Sequence, residues 1–209
     1  MNFIDFKEAV RDYPLFKTSD LRLIVPEEYS RSLLNNLKNW ERKGYLLKIR
    51  KGLYLLGEMK SQVDPSVLAT KLYFPSYVSL EKVLGDYDII PEAVFSVTCV
   101  TCRKTKNFDV DYFGRFSFQK IKGSAFLGFE IRQEKGVSYY YALPEKALVD
   151  FFYLNQSRMD GTRENFESYR FNEEFNYNKG RLLKFAKAFQ SKKAAFLTNQ
   201  FIKFYAAKQ

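Results

Sequence analysis

The chain has 209 residues, 46% of them hydrophobic, with 21 Phe, 15 Tyr and a formal net charge of +10. That apolar content supplies a packed core and excludes a disordered chain, which lacks the apolar area to offset conformational entropy. The absence of any histidine excludes Ser-His-Asp and Cys-His nucleophile arrangements and every histidine metal site.

No apolar run approaches the roughly 18 residues that a membrane span requires. The opening "MNFIDFKEAVRDY" alternates acids and bases, unlike a targeting peptide. A cytoplasmic protein with no membrane partner is therefore expected. The positive charge is clustered. Residues 29–51 carry seven Lys/Arg against Glu41, residues 103–122 carry six against Asp109 and Asp111, and residues 179–209 carry eight with no acid. Such clustering favours a polyanionic partner.

In chain order, "FIDFKEAVRDY" spaces its apolar residues as a helix does. "KTSDLRLIV" offers Thr18, Ser19 or Asp20 as N-cap of a short second helix. Pro26 suits the first turn of a third helix, with Glu27 and Glu28 favourable to its dipole, running to about Lys43 before Gly44. Projected at about 100° per residue, Tyr29, Leu33, Leu34, Leu37 and Trp40 face a core. Arg31, Asn35, Lys38 and Arg42 share the opposite arc, flanked by Ser32 and Asn39. Arg and Asn are the side chains that read guanine and adenine edges bidentately in the major groove.

Leu46–Ile49 and Leu53–Leu56 then read as two strands around the basic tip Arg50-Lys51-Gly52, where glycine permits positive φ. Three helices followed by a basic two-stranded wing predict a winged helix-turn-helix over residues 1–57, with Arg50 and Lys51 on phosphates beside the groove. The polar stretch "GEMKSQVDPS" marks the boundary, and a second domain is expected over residues 62–209.

In that second domain, Pro65–Phe74 and Ser79–Tyr87 read as short helices. Strands are predicted at Val94–Thr101, Phe108–Tyr112, Arg115–Ile121, Leu127–Gln133 and Val137–Leu143, with Glu134-Lys135-Gly136 as a hairpin turn. Cys99 and Cys102 form a CxxC pair, but an offset of three on a strand points them to opposite faces. Two ordinary reduced thiols are expected, with no metal and no cofactor. "LPEKALVDFFYLN" is a helix opened by Pro144, with Glu145 and Lys146 expected as surface charges near its start. Two basic amphipathic helices, about 179–190 and 192–207, close the chain. The fold class is α+β: a winged helix-turn-helix, a mixed α/β domain and C-terminal helices.

Four stretches carry a family resemblance: "LLNNLKNWERKGYLLKIRKGLYLL", "YVSLEKVLGDYDIIPEAVFSVTCVTCRKTKNFDVDYFGRFSFQKI", "YYYALPEKALVDFFYL" and "LLKFAKAFQSKKAAFL". Over nearly its whole length the chain resembles the AbiEi-type antitoxins of type IV (abortive infection) toxin–antitoxin systems, which act in phage defence. The resemblance implies a non-enzymatic DNA-binding antitoxin and transcriptional autorepressor, as monomer or dimer on its own operator duplex. Its functional partner would be a nucleotidyltransferase-like toxin, opposed without a stable complex. By position it puts Arg31, Asn35, Lys38 and Arg42 on the recognition helix and Arg50 and Lys51 on the wing. Ile90-Pro91-Glu92 and Pro144-Glu145-Lys146 would belong to the antitoxin domain. Residues 1–28 depart from the family's more basic start, with four Lys/Arg against six acids.

Lys184, Lys187 and Lys192, left outward by the apolar spacing of the last two helices, are the expected antitoxicity surface toward an anionic partner. Leu182, Leu183, Phe185, Ala186 and Phe189, and then Phe196, Leu197, Phe201, Ile202 and Phe204, are the residues expected to dock. Two rival readings remain. One is a metal-dependent, restriction-endonuclease-like nuclease using Asp109 or Asp111 with Glu130 and Arg132 on neighbouring strands. The other is a non-enzymatic protein-interaction module whose basic tail contacts an acidic protein.

Overall fold

The computed structural model describes residues 1–91 and 96–205. The chain opens with α1 (Phe3–Ala9), β1 (Leu15–Lys17), α2 (Leu21–Ile24), α3 (Arg31–Arg42), β2 (Leu46–Arg50) and β3 (Leu53–Leu56). The hairpin β2–β3 stands where its spacing places it. The third helix starts later than the sequence suggests, because Ser30 takes over the cap. Its backbone is extended (φ −149°) and its hydroxyl accepts the Leu33 amide at 3.2 Å, so Pro26 to Glu28 form a turn before the helix. Tyr29 thereby leaves the helix and sits half-buried beneath the Arg22 guanidinium, 5.1 Å from the ring centre.

Strand β1 is too short to show a periodicity. It pairs antiparallel with β3, Leu15 opposite Leu55 and Lys17 opposite Leu53, completing a three-stranded sheet of order β1-β3-β2. Against this sheet Phe6 meets Phe16 edge-on, with ring centres 5.6 Å apart, and lies 4.7 Å from Trp40 of α3.

The polar stretch after β3 folds as 3-10 turns at Gly57–Ser61 and Pro65–Leu68, with Met59 and Val63 buried. There follow α4 (Ala69–Leu72), β4 (Ser76–Val78), α5 (Glu81–Asp86), β5 (Val97–Thr101), β6 (Lys106–Val110), β7 (Gly114–Lys120), β8 (Phe129–Glu134) and β9 (Val137–Ala142). The helix expected over Pro65–Phe74 stops at Leu72, since a residue preceding proline is disfavoured in the helical region. Strand β4 was not legible, and the start of the strand expected from Val94 lies outside the described residues, as does Glu92. The six strands form one mixed sheet of order β6-β7-β5-β4-β9-β8. The hairpins β6–β7 and β8–β9 are its two edges, and β5–β7 and β4–β9 pair in parallel.

The last elements are α6 (Pro144–Leu154), α7 (Arg163–Ser168), α8 (Lys179–Ala188) and α9 (Lys192–Phe204). Pro144 occupies the first turn of α6, as its missing N–H allows. The expectation that Glu145 and Lys146 are surface charges is wrong: they are 4% and 0% exposed. Helix α6 packs against α5, α8 and α9, so it is enclosed on all sides.

Its buried charges are paired internally, although one Glu145 oxygen has no hydrogen-bond donor. The Lys146 ammonium donates to Asp150, whose other oxygen accepts the Ser79 hydroxyl at 2.8 Å and the Tyr77 phenol at 3.0 Å. Glu145 accepts the Asn178 amide at 2.9 Å and faces Arg181 at 3.6 Å. Burial raises the Asp150 carboxyl above its usual range and lowers the Lys146 ammonium, each opposed by the charge of the other. Helices α8 and α9 bury Leu182, Phe185, Ala186, Phe189, Leu197 and Phe201 as their spacing predicts, but Leu183 and Phe196 stay 39% and 42% exposed. Leu183 follows buried Leu182 and lies about 100° around the helix from it, off the docked stripe.

Candidate nucleic-acid interface

Helix α3 is fixed at both ends and along one face. Ser30 caps its start, and at its end Gly44 adopts φ +73°. The Gly44 amide bonds the Glu41 carbonyl at 3.0 Å and the Tyr45 amide bonds the Trp40 carbonyl at 2.9 Å. This is the paired closure that a left-handed residue permits. Leu33, Leu37 and Trp40 are buried toward α1 and the small sheet.

The opposite face leaves Arg31, Asn35, Lys38, Asn39 and Arg42 exposed. Asn35, Lys38, Asn39 and Arg42 line one depression of about 530 Å³ together with Glu41, Lys48 of β2 and Tyr54 of β3. Arg31, one turn earlier, stands outside it. Glu41 is engaged by Lys48 at 3.6 Å, and the Arg42 guanidinium donates to the Asn39 side-chain oxygen. Burial, then the nearby charge of Glu41, raises the Tyr54 phenol, which stays a neutral donor.

The hairpin cations do not all join that depression. The β2–β3 register runs Lys48 opposite Tyr54 but Arg50 opposite Leu53, so a bulge falls at Ile49. A bulge re-aims the side chains beyond it. Lys48 therefore stays beside α3, whereas Arg50 turns to the larger sheet. Its guanidinium donates to the Leu72 carbonyl at 2.7 Å and lies 5.7 Å from the Phe108 ring centre. Lys51 and Gly52 line the same second cleft, of about 520 Å³. Regular alternation would have put residues 48 and 50 on one face, and no sequence signal marks the bulge. The structure thus brings Asn35, Lys38 and Arg42 together and sets Arg50 and Lys51 apart from them.

Lys184, Lys187 and Lys192 are exposed on α8 and α9. Lys193, beside Lys192, is half-buried, donating to the Asp160 carbonyl at 3.2 Å. Cys99 is buried in β5 and Cys102 lies half-buried just past its end, both as free thiols.

The carboxylates of the nuclease reading are not brought together. Asp109 is on β6 and Glu130 on β8, the two opposite edges of the six-stranded sheet. Arg132 is engaged by Glu130 at 2.9 Å and by the Tyr87 hydroxyl at 2.6 Å. Among the described residues no three Cys, Asp or Glu gather as a metal site, and no helix is long and apolar enough to cross a membrane.

Compared with protein-family models and with curated proteins, the sequence matches none. The geometry of α3 and of the hairpin is what speaks for a function.

Proposed function

We propose that this chain is a duplex-DNA-binding antitoxin that represses its own operon. Residues 1–57 act as a winged helix-turn-helix and residues 62–209 as the antitoxin domain. The observation that carries the reading is the row of exposed Asn35, Lys38, Asn39 and Arg42 along α3, with Lys48 of the hairpin beside it. In this reading the helix lies in the major groove. Asn35 and Arg42 reach base edges, and Arg31, Lys38 and Lys48 of the hairpin hold phosphates. One such unit touches few base pairs, so two copies on a repeat, as a dimer or as neighbouring monomers, are required for a selective operator. The antitoxin role rests on the sequence resemblance, and the exposed Lys184, Lys187 and Lys192 supply a cationic surface for it, separate in sequence from α3.

The test is a polarisation titration of labelled duplex from upstream of the gene against scrambled duplex of equal length. Asn35→Ala and Arg42→Ala should each lose about 1–3 kcal/mol on the operator and little on scrambled DNA. The logarithm of affinity should fall with the logarithm of salt at about −0.9 per neutralised phosphate. A flat salt response, or equal losses on both duplexes, would overturn the assignment. Co-expression with a nucleotidyltransferase-like product of the neighbouring gene should restore growth without a complex that co-purifies.

A further inference from the structure

The second cleft, between the hairpin tip and the larger sheet, is built unlike the α3 face. Six cations line it: Lys17, Arg50, Lys51, Lys71, Arg103 and Lys106. No Asp or Glu lines it, and among the described residues none of the six is in an ion pair. They come from β1, the end of β2 and the turn after it, α4, the β5–β6 connection and the start of β6, elements that fold together only in the finished structure.

Two of the cations are fixed by the backbone between them. Arg50 donates to the Leu72 carbonyl at 2.7 Å and Arg103 to the Phe74 carbonyl at 3.1 Å, one on each side of Tyr73. The Arg103 guanidinium lies 4.8 Å from the Tyr73 ring centre, and the Lys106 ammonium 4.9 Å from that of Phe108. Each guanidinium uses one N–H on a carbonyl and keeps its other donors for a ligand. Holding like charges together without a counter-charge is unfavourable unless an anion joins them. Anchoring them beforehand removes ordering entropy from that binding step.

The cleft also carries a ring. Phe74 is 57% exposed, whereas Tyr73 is covered by Arg103, Phe108 and Phe118. One free aromatic face accepts one base, and a concentrated set of cations accepts a short chain of phosphates. A strand of nucleic acid would call for successive exposed rings along a groove, and of the two aromatic residues that line this cleft, Tyr73 and Phe74, Phe74 is the exposed one. A cleft of about 520 Å³ is within the roughly 300–1,000 Å³ of small-ligand sites. We infer that this cleft binds a nucleoside polyphosphate, with the base on Phe74 and the phosphates on Arg50, Arg103, Lys71 and Lys106. The site is distinct from the α3 face and does not depend on operator binding.

The test is isothermal titration calorimetry of the full chain with ATP, inorganic triphosphate and adenosine. ATP should bind, inorganic triphosphate should bind more weakly, and adenosine should give no heat. Phe74→Ala should weaken ATP by about tenfold, to the level of inorganic triphosphate. Lys71→Glu combined with Lys106→Glu should abolish both, while Lys179→Glu combined with Lys203→Glu, an equal charge change on the exposed face of α8 and α9, should leave both unchanged. Unaltered thermal melts show that each variant is folded. Absence of ATP binding by the folded wild-type chain would overturn the inference. So would equal loss on the Lys179→Glu, Lys203→Glu variant, or ATP binding that is indifferent to Phe74. Single-stranded oligonucleotide that binds through Lys71 and Lys106 and is not displaced by ATP would assign the cleft to a strand instead.

Discussion

Replacing Lys146 with Met tests how the interior of the larger unit is held. Lys146 and Asp150 are both 0% exposed and bonded to one another. The Met side chain fills the volume of the lysine stem but leaves Asp150 without its cation. Breaking a buried pair by removing one partner costs about 3–5 kcal/mol. Here Asp150 keeps the Ser79 hydroxyl at 2.8 Å and the Tyr77 phenol at 3.0 Å, which puts the expected loss near the lower end, about 3 kcal/mol at pH 7.

The loss should depend on pH. Burial already raises the Asp150 carboxyl, with the Lys146 charge opposing that rise, so Lys146→Met raises it further. A folded-state value above the unfolded one, about 3.9, means that the folded chain favours the protonated acid. Relative stability is then fully present below about pH 4 and is lost as pH rises through the folded value. Urea denaturation followed by circular dichroism at pH 4.5 and pH 7 should therefore show the larger penalty at pH 7. Asp150→Asn and the double variant complete a cycle, in which the double loss should fall short of the sum by about 1–3 kcal/mol. A loss below about 1 kcal/mol at pH 7, or an additive cycle, would refute the reasoning.

Two further expectations concern the surface. Burial pushes the Asp64 carboxyl up, but the hydrogen bond from the Ser66 amide and the charge and hydrogen bond of Lys82 outweigh it and hold the group below the usual carboxylate range. Its contribution to stability is present above its unfolded value, about 3.9, and is lost as pH falls through the lower folded value. Asp64→Asn should remove that part of the acid limb in urea titrations between pH 5.5 and pH 3, and an unchanged acid profile would contradict it. Charge reversal of Lys184, Lys187 and Lys192 to Glu should leave thermal stability nearly unchanged, since exposed substitutions usually shift it by about 0.5 kcal/mol or less each. Growth protection against the toxin should fail while operator repression survives, and full protection would make the tail a structural cap.

Features set by neighbours in sequence were legible from the sequence alone. The apolar spacing of Leu33, Leu37 and Trp40, the glycine after α3, the basic tip of the hairpin and Pro144 at the first turn of α6 are all decided within about one or two helical turns or one strand pair. Their physical causes, side-chain direction and backbone dihedral freedom, act over that range.

What the sequence left open depends on groups far apart in the chain. Glu145 and Lys146 read as surface charges until α8, α9 and β4 close around α6. The bulge at Ile49 divides the hairpin cations between two surfaces, because the tip must meet Leu72 and Phe108. The six cations of the second cleft come from residues 17 to 106, so no window of the sequence contains them. Burial and the gathering of charge are properties of which surfaces meet, and long-range contacts alone decide that.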